Sequence, residues 1–158
     1  MPVGFDRVRG VEIAPIDVTD AGHAARLRAY VWADNPDRMA RLDQVIAMIR
    51  ARPVDLAAGD AADWIEARLA EPARAGVTRV LMHSVVWQYL GEARQARIAA
   101  AMAAAGARAT PEAPLAWVRM EPHRSLEPRM EVWVQHWPDG EEAKVAHAQA
   151  HGAWVEPL

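Results

Sequence analysis

The spacing of apolar and polar positions changes its period several times along the chain, and each change predicts an element. The segment Val11-Glu12-Ile13-Ala14-Pro15-Ile16-Asp17 is short and β-branched, and Pro15 cannot continue a helix, so it reads as a strand ending in a turn. Thr19 and Asp20 suit the N-cap of a helix whose apolar face is Ala24, Leu27, Tyr30 and Val31. Asn35-Pro36 opens a second helix, since proline suits the first helical position after a capping residue. Met39, Leu42, Val45, Ile46 and Ile49 form its stripe, which ends near Pro53.

Residues 54–58 predict a brief second strand, closed by Gly59-Asp60, which also caps a helix over residues 61–69. Residues 77–82, Val-Thr-Arg-Val-Leu-Met, lack clean alternation and suit a central strand covered on both faces, with His83 and Ser84 at its carboxyl end. A helix over residues 91–105 follows, with Leu90, Ile98 and Met102 inward and Gly106 in the place of a left-handed C-cap. Residues 114–120 predict the next strand. From Arg129 the period becomes two, Pro138-Asp139-Gly140 supplies a hairpin turn, and a return strand runs toward Gln149 before Gly152 breaks it.

Strand, two helices, strand, helix, strand, helix, strand and a closing hairpin make the pattern of an α/β fold: a Rossmann-like three-layer α/β/α arrangement with a mostly parallel sheet and a C-terminal antiparallel hairpin. A chain of 158 residues suits one domain with one core, so residues 1–158 are read as a single domain. Zero cysteines remove disulfides, thiolate nucleophiles and zinc fingers, and fit a reducing compartment, which makes the cytoplasm the default expectation. A formal charge of -3 and scattered arginines, with Lys144 the only lysine, give no footprint for nucleic acid. The longest uncharged apolar stretch, residues 80–90, is far shorter than the roughly 20 residues that span a bilayer, so no membrane partner is expected.

Three local matches resemble the later part of a class I S-adenosylmethionine-dependent methyltransferase fold. Val11-Glu12-Ile13-Ala14-Pro15 is similar to its second strand, which implies that Glu12 takes the ribose hydroxyls. Gly59-Asp60-Ala61 is similar to the acidic turn after the third strand, which implies that Asp60 and Ala61 lie near adenine. The segment with His83, Ser84, Trp87 and Tyr89 is similar to the fourth strand and the loop that faces the substrate. More closely, His83-Ser84-Val85-Val86-Trp87-Gln88-Tyr89-Leu90, Ala104-Ala105-Gly106-Ala107 and Trp137-Pro138-Asp139-Gly140 resemble an uncharacterised bacterial family, domain of unknown function 2332. That likeness covers nearly the whole chain and implies a fold without an activity.

The first strand of the methyltransferase fold and its glycine-bearing turn have no counterpart here, and the nine glycines form no Gly-x-Gly pair. In the resembled topology that strand is central. The expectation is therefore that the chain pairs its first and third strands directly, borrows a strand from a partner, or is a fragment.

Ligands of open α/β sheets bind outside the carboxyl ends of the strands, which directs attention to Glu12, Asp17, Asp60, His83, Ser84, Trp87 and Glu121. His83 and Ser84 are the candidate catalytic residues, His83 as general base or orienter of a polar substrate. Glu12, Asp17, Asp60, Ala61 and Trp87 are the candidate cofactor-binding residues, for S-adenosylmethionine if any. Each has a plainer reading: Glu12 and Asp17 as turn residues, Asp60 as an N-cap, His83 as a strand-end histidine and Trp87 as core. Ser84 lacks the Gly-x-Ser-x-Gly elbow of a hydrolase nucleophile. His147 and His151 stand four apart, but strand geometry would separate them by roughly 13 Å, too far to share a metal. Three functions stay open: a non-catalytic methyltransferase-like remnant or part of a larger assembly, an active S-adenosylmethionine-dependent transferase with a small-molecule acceptor, and a homodimer formed through sheet pairing.

Overall fold

The computed structural model describes residues 4–122 and 129–158 and shows a mixed α/β chain in two compact units that divide between Ala61 and Ala62. In the first unit, strand β1 (Arg9–Glu12) pairs in parallel with β2 (Asp55–Ala58), and helices α1 (Ala21–Ala29) and α2 (Pro36–Ala51) lie between them in sequence. Asp20 caps α1 by accepting from the His23 amide at 2.8 Å, and Asn35 caps α2 by accepting from the Arg38 amide at 3.1 Å. Val18, Ala24 and Ile46 are the buried residues of this unit, with Leu27, Leu42 and Ile49 against them.

Helix α3 spans Ala61–Ala70 and lies in the second unit from Ala62 onward, followed by β3 (Arg79–Ser84), a single 3-10 turn (Trp87–Tyr89) and helix α4 (Gly91–Gly106). Strands β4 (Leu115–Pro122), β5 (Met130–Trp137), β6 (Glu141–Ala148) and β7 (Val155–Pro157) complete it. Ala62, Ile65 and Leu69 recur at helical spacing on α3, and Ile98, Met102 and Ala105 on α4; these two stripes bury Leu115, Trp117 and Trp137 of the sheet.

The five strands run in the order β3-β4-β5-β6-β7. β3 and β4 are parallel, because α4 carries the chain back between them, whereas β4–β5, β5–β6 and β6–β7 are antiparallel. The expectation of a mostly parallel sheet is thus corrected: past β4 the connections are too short for the crossover of a dozen or more residues that parallel neighbours need. Nor do all the strands share one sheet: they form a two-stranded and a five-stranded ladder. Leu56 belongs to the two-stranded ladder, Leu81 and Val118 belong to the five-stranded one, and Ile13 follows the end of β1.

The predicted two-sided cover of β3 also fails. Its burial alternates, with Leu81 and His83 half-buried on the face toward α3 and α4, while Val80 is 56% and Met82 73% exposed on the other. The register places Val118, Met120, Val132 and Val134 on that second face, together with Ser84 and His136, so it is largely apolar. Among the described residues, the amides of Arg79 and Val85 donate to the carbonyls of Pro114 and Met120 at 3.0 Å each. Alternation therefore turns the backbone groups of Val80, Met82 and Ser84 toward the edge away from β4, which pairs with no other strand among the described residues.

Candidate functional site

The parallel pair β3–β4 ends in a sharp turn. Val85 has φ 53°, the one non-glycine residue of the described chain in the left-handed region. A β-branched side chain is strained there, at a cost of roughly 1–3 kcal/mol. The turn brings the amides of Val86 and Trp87 to 3.3 Å from Glu121 Oε1, and the same oxygen lies 2.7 Å from His83 Nδ1. Glu121 thus ties the histidine and the turn together from the neighbouring strand.

Trp117, Arg119 and Glu121 alternate along β4, so all three stand on the face that His83 occupies on β3. The His83 ring stacks on Trp87 with centroids 5.3 Å apart and an interplanar angle of 12°, and Trp87 meets Trp117 edge-on at 5.4 Å. The Arg119 guanidinium lies 4.6 Å from the Trp117 ring centroid, and its Nη2 lies 2.7 Å from Glu142 Oε1. The result is a small polar cluster walled by two indoles at the carboxyl end of the parallel pair β3–β4.

Burial holds the His83 pKa below its usual value of 6.5, more strongly than the bond to Glu121 raises it, and Arg119 pushes in the same direction as burial. At neutral pH the ring is therefore neutral: Nδ1 carries the proton and donates to the carboxylate, which leaves Nε2 a bare lone pair. Because the unfolded chain takes up this proton at higher pH than the folded chain, the contribution of this ring to stability is present above pH 6.5 and is lost as the pH falls below it. Urea midpoints of the wild type should decline over that window, and His83→Gln should decline less; equal slopes would contradict the buried neutral ring.

The other predicted site residues are placed elsewhere. Ser84 follows His83 on the strand, so it points to the opposite face and is exposed, and the two do not form a catalytic pair. Glu12 Oε1 accepts from the Ile13 amide at 2.8 Å, and Asp17 Oδ1 accepts from the Thr19 amide and hydroxyl at 2.8 and 2.7 Å. The Thr19 bonds keep the Asp17 carboxyl below its usual range. Asp60 and Ala61 stand half-buried at the start of α3, at the end of the first unit. The structure thus groups His83, Trp87 and Glu121, all within the second unit.

Trp117, Arg119 and Val85 were not legible as site residues. The Trp-x-Arg-x-Glu alternation of β4 was a usable signal for two of them, whereas nothing in a Val-Val pair announces a left-handed turn. His147 lies in β6 and His151 in the turn beyond it; no group of three or more metal-ligating side chains occurs among the described residues. Nor, among them, is any helix long and apolar enough to cross a membrane.

Neither a curated protein nor a solved structure matches the chain. Residues 3–156 match the family model described as "Uncharacterized protein conserved in bacteria (DUF2332)", and the chain belongs to that family.

Proposed function

We propose that this chain is a methyltransferase-like Rossmann domain that is non-catalytic by itself and works as part of a larger assembly. The observation that carries the reading is the free edge of β3, which has one neighbour in its ladder and an exposed apolar face at Val80 and Met82. Edge strands are commonly blunted by lysine, proline or a bulge, and the β3 sequence Arg-Val-Leu-Met-His-Ser carries neither residue. Such an edge suits pairing with a strand supplied by another polypeptide, a second copy of this chain among the candidates.

Two observations support a reading without S-adenosylmethionine. The carboxylates of Glu12 and Asp17 are engaged with their own turns, and no Gly-x-Gly turn exists to approach the amino acid moiety. The second reading, an active S-adenosylmethionine-dependent transferase with Glu12 on ribose, Asp60 near adenine and His83 or Trp87 toward the acceptor, is favoured by the His83–Glu121 pair alone. Calorimetric titration of the isolated chain with millimolar S-adenosylmethionine separates the two. We expect no heat above dilution; saturable binding would replace the first reading with the second.

A further inference from the structure

Within the cluster at the end of β3 and β4, His83 Nε2, Glu121 Oε2, Trp117 Nε1 and Arg119 Nε are buried with no hydrogen-bond partner from the chain. Leaving such an atom unpaired costs roughly 1–3 kcal/mol, and native folds rarely tolerate several in one place without a reason. Trp117 is only 4% exposed, and its ring centroid lies 6.0 Å from that of His83. The strained Val85 turn is what holds Trp87 against His83 and the two amides against Glu121. Strain and unpaired polar atoms thus coincide in one turn, the combination that marks a site shaped for a ligand.

The unpaired atoms define the chemistry. His83 Nε2 and Glu121 Oε2 accept, and Trp117 Nε1 and Arg119 Nε donate, so the site presents both kinds of partner. An ammonium group can only donate and a carboxylate or phosphate can only accept, whereas a hydroxyl does both with one atom. We propose that the turn after β3 binds a small hydroxyl-bearing molecule, with His83 Nε2 as its hydrogen-bond acceptor and Glu121 as the positioning residue that fixes the histidine tautomer. The site lies wholly in the second unit and does not rest on the methyltransferase reading.

The test is a two-carbon series, ethanol, ethylammonium and acetate, titrated at neutral pH into the isolated chain labelled with nitrogen-15. Ethanol should shift His83 Nε2 and the Trp117 indole N–H saturably, and neither ion should do so at equal concentration. In the free chain His83 should show the Nδ1–H tautomer, and Glu121→Ala should convert it to a mixture or to Nε2–H. Absence of an ethanol shift, which would mean a bound water at most, overturns the proposal, as does an equal response to either ion or an Nε2–H tautomer in the wild type. Should Glu121→Ala fail to fold, the wild-type tautomer and titration decide alone. Failure of S-adenosylmethionine to bind leaves all these signals unaffected, so the two readings fail separately.

Discussion

Gly106→Ala is expected to destabilise the chain by about 3 kcal/mol, although the substitution removes a glycine from a helix. On backbone grounds alone it should stabilise α4 by roughly 1 kcal/mol. Packing reverses the sign. A Cβ on Gly106 would fall within 2.5 Å of Cδ1 and Cε2 of Trp137 and closer still to Nε1, a separation that no real contact shows. The indole cannot swing away cheaply, because Trp137 is 8% exposed and packed among Leu115, Ile98, Met102 and Ala105. Urea denaturation of Gly106→Ala, Trp137→Leu and the double variant closes a cycle. The double variant should lose less than the two single losses added together, since the shorter side chain makes room for the methyl. A neutral or stabilising Gly106→Ala would show that α4 does not press on Trp137.

Gly106 also shows where sequence reasoning succeeds and where it stops. Its position after an apolar helical stripe correctly located the end of α4, which closes at Gly106. The reason was different: a left-handed C-cap was expected, whereas Gly106 is not among the residues of positive φ and is glycine because a ring fills its Cβ space. Local signals of this kind were reliable wherever the physics was local. Asp20 and Asn35 cap their helices, and the period-two segment after Arg129 forms the hairpin of β5 and β6.

Non-local matters were less legible. The run Val80-Leu81-Met82 is as apolar as a strand buried on both sides, yet which faces are covered depends on the neighbours supplied, and here one face stays exposed. Parallel order was inferred by extending the βα pattern, and it holds for β1–β2 and β3–β4 but not beyond. In the candidate site, His83, Trp87 and Glu121 were singled out because they end strands or follow them. Their mutual contacts depend on the register of β3 with β4 and on the Val85 turn, and neither is written in a local pattern.

Residue-resolved hydrogen exchange of the isolated chain reads directly whether β3 has one neighbour in its ladder. The amides of Leu81 and His83 face β4 by the same alternation that pairs Arg79 and Val85 with it. They should exchange slowly, while those of Val80, Met82 and Ser84 should exchange on the order of a hundredfold faster. A strict slow-fast alternation along β3 is the predicted result. Uniform protection from Val80 to Ser84 would mean that a second strand already lies beside β3, and the open edge on which the proposed function rests would not exist.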